Sequence, residues 1–261
     1  MICYKNLLAY FLVLGVVFCE IKGSSLRNYE IARGQDALEG QFPYQVSIQE
    51  RRDEDYKSFC GGSIISPNWI VTAGHCYLEN TNPDVRIVAG IIKISETSES
   101  MQVRTIAKYY IHEDYHGGPA PNDIMVMKVN EPFIFNDRVK PINLPKQNFE
   151  TIGEAVISGW GNTDKELEPD NLQWELTQIS DGQTCIGQFG NIFNETTNVC
   201  SENLKQGQGP CSGDSGGPLA QHGTLIGVVS WGSKDCGTDI PSVYSKVSNY
   251  IDWIKEHVSE L

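Results

Sequence analysis

Between Tyr44 and Val247 the chain is written in short apolar runs that turn residues never allow to grow long. YQVSI (44–48), GSIIS (62–66), WIVTA (69–73), VRIVAGIIKI (85–94), VRTIAKYYI (103–111) and DIMVMKV (123–129) form a first set. AVISGWG (155–161), LQWELTQI (172–179), TLIGVVSWG (224–232) and SVYSKV (242–247) form a second. All are rich in β-branched and aromatic residues and bounded by Gly, Pro, Asn or Asp, which is how strands are punctuated. No helices alternate with them, so antiparallel sandwiches or barrels are expected. A Pro-rich crossing, EPFIFNDRVKPINLP (131–145), separates the sets and predicts two small cores in one unit. Only the end of the chain reads as helix. In SNYIDWIKEHV, Ile251, Ile254 and Val258 continue a helical spacing begun at Val247, with Ser248 as candidate N-cap.

The start of the chain does not belong to this pattern. Lys5 precedes an apolar run from Leu7 to Cys19, the signature of a secretory signal peptide over residues 1–19, its end as late as 23. The run is shorter than the ~20 residues that span a bilayer, so a secreted, extracellular product without a membrane anchor is expected. Of eight cysteines, Cys3 and Cys19 fall in this leader; Cys60, Cys76, Cys185, Cys200, Cys211 and Cys236 remain. Six cysteines in a secreted chain imply disulfides, with ~15 pairings open. No cluster has zinc spacing, so no metal and no cofactor is expected. The net charge of −13 repels nucleic acid and anionic membrane, and neither is expected as a partner.

The chemistry concentrates in CSGDSGGPL (211–219), where Ser215 is flanked by glycines and follows Asp214. A serine hydroxyl is a poor nucleophile until a base takes its proton, and the base needs a third group to orient it. Among the histidines, His222 reads as an exposed turn, His257 as a helix C-terminus, and His112 and His116 as a polar loop. His75 differs, ending a strand in TAGHC beside Cys76, which one disulfide to Cys60 could fix. Asp123 heads a buried-looking strand and needs a polar partner there, unlike Asp84 and Asp114 in polar loops. The order His75, Asp123, Ser215 excludes the α/β-hydrolase and subtilisin arrangements.

TAGHC, NDIMVMKV, GDSGGPL and VVSWG, in this order, resemble the trypsin–chymotrypsin family of serine peptidases over residues 31–261. The resemblance implies an all-β fold of two six-stranded antiparallel barrels, over 31–140 and 141–261, with the active site in the cleft between them. It implies disulfides Cys60–Cys76, Cys185–Cys200 and Cys211–Cys236, and an oxyanion hole from the N–H groups of Gly213 and Ser215. It also implies an activation propeptide, residues 20–30, whose removal frees Ile31 to pair with Asp214. Here the sequence departs from the family: Glu30, not arginine or lysine, precedes Ile31, so activation by a protease cutting after a base is not expected.

By the family pattern the primary pocket has Gly209 at its floor, Gly232 and Ser242 on its walls, and Ser230, Trp231 and Gly232 as the edge that pairs with substrate backbone. No acid stands at the floor, so cleavage after large or medium apolar residues is expected, with an elastase-like preference as the rival. Asn194 begins a glycosylation sequon. Ile91 and Ile92 stand where a calcium loop needs its first carboxylate, and Glu96 and Glu99 are expected to be solvated. The expected product is a secreted, monomeric endopeptidase zymogen, with protein or peptide substrates, an activating protease and protein inhibitors as partners. A catalytically silent relative acting as a binding protein is the alternative.

Overall fold

The computed structural model describes residues 34–78, 84–163, 166–205, 207–233 and 235–261. The leader, the propeptide and Ile31 lie outside the described residues. In the first half the elements are β1 (Gln35–Asp36), β2 (Gln45–Arg52), β3 (Asp55–Ser66), β4 (Trp69–Thr72), α1 (His75–Leu78), β5 (Val85–Ala89), β6 (Gln102–Ile111) and β7 (Met125–Val129). In the second they are β8 (Gly153–Gly159), β9 (Gln173–Ile179), α2 (Gly182–Phe189), β10 (Asn198–Asn203), β11 (Pro218–Gln221), β12 (Thr224–Trp231), β13 (Ser242–Lys246) and α3 (Ile251–His257).

Strands β2-β3-β4-β7-β6-β5 close into one barrel. A second closes in the order β8-β9-β10-β13-β12-β11, with β1 added outside β9. Closure pairs both edges of each barrel strand, the route by which antiparallel sheets avoid open edges. The first barrel is filled by Val46, Ile48, Ile64, Ile70, Val71, Ile87 and Met125, and the second by Ala155, Ile157, Val199, Leu219, Ile226 and Tyr244. A third cluster, with Val88, Ile91, Trp160 and Leu172, seals the two together.

The chain's ends are exchanged between the halves. Asp36 in β1 pairs with Gln173 of β9 in the second barrel. Conversely Ile251, Trp253 and Ile254 of α3 join the apolar cluster of the first. The helix starts later than its periodicity suggests. Tyr250 is its N-cap, and the Ser248 hydroxyl donates instead to the Phe149 carbonyl at 2.9 Å. His75 does not end a strand either. β4 stops at Thr72, and His75 opens the single turn α1.

Candidate active site

Asp123 sits just before β7, 1 % exposed, and nearly every bond that holds it comes from elsewhere in the chain. Its Oδ1 accepts from the backbone N–H of His75 at 2.9 Å, and its Oδ2 lies 2.7 Å from His75 Nδ1. A carboxylate can only accept, so Nδ1 carries the proton and Nε2 is left as the basic nitrogen. The Ser230 hydroxyl, at the end of β12, donates to the same Oδ2 at 2.5 Å. Ser245 Oγ of β13 donates to the Asp123 carbonyl at 2.6 Å, and the Tyr250 hydroxyl bonds both backbone and side chain of Asn122. Donors this numerous satisfy the lone pairs of a carboxylate that burial has cut off from water.

The nucleophile loop is locked against the same elements. The Gly61 N–H, in β3, donates to the Ser215 carbonyl at 2.7 Å. Gly216 has φ +76°, and a Cβ there would overlap Thr72 Oγ1 and lie 3.0 Å from the Ala73 N. Only glycine permits this approach, which presses the residue after Ser215 against the segment two residues before His75. The Cys60–Cys76 disulfide joins the neighbours of Gly61 and His75. Ser215 and His75 are therefore tied to one another through β3, β4 and a covalent bridge. Among the described residues, neither Gly213 N–H nor Ser215 N–H donates to a protein acceptor.

A pocket of about 150 Å³ opens beside Ser215. Ser230, Trp231, Gly232 and Ser242, all singled out from the sequence, line it together with Pro210, Cys211 and Val229. Gly209 does not line it. That residue faces a smaller neighbouring cavity, which Pro210 borders as well. The expected floor position thus borders the smaller cavity, while Pro210 and Cys211 line the pocket itself.

Asp214 points away from Ser215. Its Oδ1 accepts from Gly161 N–H at 2.8 Å and its Oδ2 from Cys211 N–H at 2.9 Å. Burial pushes its carboxyl up to about 6, against the two N–H donors that pull it down. No cationic side chain among the described residues accompanies it.

Other positions differ from expectation. His112 is no loose loop residue; its ring stacks on Trp253 and meets Tyr250 edge-on. Glu96 is only partly solvated. Its Oε2 accepts from Ile92 N–H, its Oε1 pairs with Arg138 at 2.8 Å, and Arg138 also grips Glu39. The guanidinium supplies this loop with its positive charge. The cluster of Cys60, His75 and Cys76 offers no thiolates, because its sulfurs are joined. The other disulfides, Cys185–Cys200 and Cys211–Cys236, complete the expected pairing. Asn194 is exposed on a turn, its side chain accepting from Thr196 N–H at 2.9 Å. Sequence reading missed the second role of Ser230 and the parts of Thr72, Ser245 and Tyr250. These act across the barrel interface, and no local pattern marks them.

The sequence matches the Trypsin family model over residues 31–254. The chain belongs to the trypsin family of serine proteases. Trypsin-1 of Astacus astacus is 37 % identical over 235 residues, covering 86 % of this chain and 98 % of its own. Human Trypsin-3 is 38 % identical over 248 residues, 92 % of this chain and 78 % of its own. Anionic trypsin of Bos taurus is 34 % identical over 251 residues, 95 % and 97 % of the two. Within this family the two-barrel fold is that of a serine endopeptidase acting on protein substrates.

Proposed function

We propose that this trypsin-family protease is a secreted endopeptidase, made as a zymogen, that works through His75, Asp123 and Ser215. The observation that carries the reading is the doubly bonded His75–Asp123 pair, which fixes the tautomer a general base needs. Ser215 Oγ attacks the peptide carbonyl while His75 Nε2 takes its proton; Asp123 orients the ring and stabilises the imidazolium. The developing oxyanion is received by the Gly213 and Ser215 N–H groups, each worth about 3–4 kcal/mol of barrier. His75 then returns the proton to the leaving amine, and water repeats the sequence on the acyl-enzyme. No helix among the described residues is long and apolar enough to cross a membrane, which agrees with release after leader removal.

The zymogen reading has residues 20–30 removed and Ile31 inserted beside Asp214, whose carboxylate has no cationic partner among the described residues. With Glu30 before the cut, the activating protease acts after an acid, or trims from Arg27. For primary specificity we favour apolar side chains, since the pocket beside Ser215 is lined by serines, Val229 and a disulfide. Cleavage after lysine or arginine is the second reading, favoured by relatives whose printed names are trypsins. The experiment is N-terminal sequencing of the secreted protein, fluorophosphonate labelling and a peptide-library cleavage profile. A start at Ile31, labelling of Ser215 and cuts after Phe, Tyr, Leu or Met are expected. Labelling that fails after confirmed processing overturns the enzyme; cuts after Lys or Arg overturn the apolar specificity. The same sequencing and a glycosidase shift test glycosylation at Asn194.

A further inference from the structure

Among the described residues, five besides glycines hold a left-handed backbone: Asp53, Asn122, Asn148, Glu168 and His222. Four of them are exposed. Asn122, at φ +65°, is part-buried and stands directly before Asp123. A side chain on a left-handed backbone carries a cost that its surroundings must offset, and such residues gather where a site needs one particular geometry.

What this backbone does is local. The Ile124 N–H donates to the Asn122 carbonyl at 2.8 Å, so Asp123 is the middle residue of a three-residue turn. The turn sets the direction in which the Asp123 side chain leaves the backbone, and that direction ends in the two bonds to His75. What holds the turn comes from 128 residues further along the chain. The hydroxyl of Tyr250, a buried residue at the start of α3, accepts from the Asn122 N–H at 3.1 Å and lies 3.1 Å from Asn122 Oδ1. One group thus grips Asn122 at two points, backbone and side chain. The hydroxyl also lies 3.4 Å from the Thr197 carbonyl just before β10, and His112, after β6, meets the ring edge-on. Tyr250 is therefore fixed from both barrels.

We propose that Tyr250 is a positioning residue for Asp123: its hydroxyl holds Asn122 in the left-handed turn that aims the Asp123 carboxyl at His75. This rests on the reading of His75, Asp123 and Ser215 proposed above. Tyr250 acts only through the turn. Without its hydroxyl, the Asn122 N–H and Oδ1 lose the group that grips them, and the backbone is drawn toward the right-handed region that a side chain prefers. The Asp123 carboxyl then swings off the ring it orients. Proton transfer suffers while the pocket beside Ser215 is untouched, so the loss falls on kcat and spares KM. The segment after β13 thereby supports the site as well as packing against the first barrel.

The test is steady-state kcat and KM on a peptide p-nitroanilide, with processed enzyme normalised by active-site titration. Tyr250→Phe keeps the ring and is expected to lower kcat about tenfold at unchanged KM. Asn122→Gly takes a left-handed backbone without strain and is expected to keep kcat within about threefold of wild type. Asn122→Ala lacks the same side-chain amide but resists that backbone, and is expected about fivefold or more below Asn122→Gly. Combined with Asn122→Gly, Tyr250→Phe should cost less than it does alone, because the turn no longer needs the grip. Ser248→Ala removes another buried hydroxyl bond from the same segment, 2.9 Å to the Phe149 carbonyl, and is expected to leave kcat unchanged. Wild-type kcat in Tyr250→Phe, equal kcat in Asn122→Ala and Asn122→Gly, or a Ser248→Ala loss matching that of Tyr250→Phe overturns the proposal. Should Tyr250→Phe fail to fold, the two Asn122 variants decide it. Asp123→Asn, run alongside, tests the triad reading by itself. Full activity there sinks that reading and the proposal with it; lost activity there beside a wild-type Tyr250→Phe removes the positioning role alone.

Discussion

Asp123 shows how one side chain can collect a site. Its Oδ2 is shared between His75 and Ser230, so removing the serine hydroxyl leaves a buried carboxylate short of a donor. A hydrogen bond to a charged group contributes about 1.5–3 kcal/mol, and if it is felt as the imidazolium forms, kcat falls roughly 10- to 100-fold. Ser230→Ala is therefore expected to lower kcat by that amount while KM changes little, read from steady-state kinetics on a titrated enzyme. An unchanged kcat makes Ser230 a spacer and nothing more. Such a role cannot be read locally: Ser230 stands 107 residues from Asp123, inside an ordinary alternating strand.

At the level of elements, the disulfides permit a controlled comparison. Cys60–Cys76 and Cys185–Cys200 close loops of nearly equal length, with separations of 16 and 15 residues. Each should contribute about 3 kcal/mol through the unfolded chain. Only the first braces His75. Replacing either pair by alanine is expected to lower the urea midpoint similarly, whereas kcat should collapse only for Cys60/Cys76. Equal loss of kcat in both variants sinks the bracing role. The elements themselves were unevenly legible. Strands β4, β6 and β12 match their apolar runs, because each alternates or is buried nearly throughout, whereas β2 runs on past Ile48 to the exposed Arg52 in its hairpin with β3. The opening of β3, residues 55–61, carries no apolar run, because Lys57 and Ser58 lie in the partly exposed arm of a hairpin with β2. β10 (NVCSEN) is polar, and it is held by β9 and β13 on its two sides. β5 ends at Ala89 and not at Ile94, since Gly90 turns the chain at φ +76°. α2 carries two glycines and shows no helical pattern; Asp181 caps it and Cys185 anchors it.

For the whole molecule, the interior charges imply a pH dependence opposite to the familiar acid unfolding of paired carboxylates. Asp214 and Glu175 both have carboxyls raised by burial, to about 6 and about 8. A group whose folded value lies above its unfolded one holds its proton in the native state after the unfolded chain has released it. Its stabilising share is present in full at low pH and is lost as pH climbs through the folded value. For the unprocessed chain, with no ammonium beside Asp214, stability should thus fall between pH about 4 and about 8, each group contributing a slope of up to about 1.4 kcal/mol per pH unit within its own window. Urea unfolding of the precursor carrying Ser215→Ala, which prevents self-cleavage, measures this directly. Glu175→Gln should flatten the upper part of the decline, and Asp214→Asn the lower part. Processing should reverse the sign for Asp214, because an inserted ammonium favours its charged form and converts a cost of burial into an attraction. A precursor whose stability rises from pH 4 to 8 would show that neither carboxyl keeps its proton inside the fold, and a processed enzyme with the same slope as its precursor would show that no ammonium reaches Asp214.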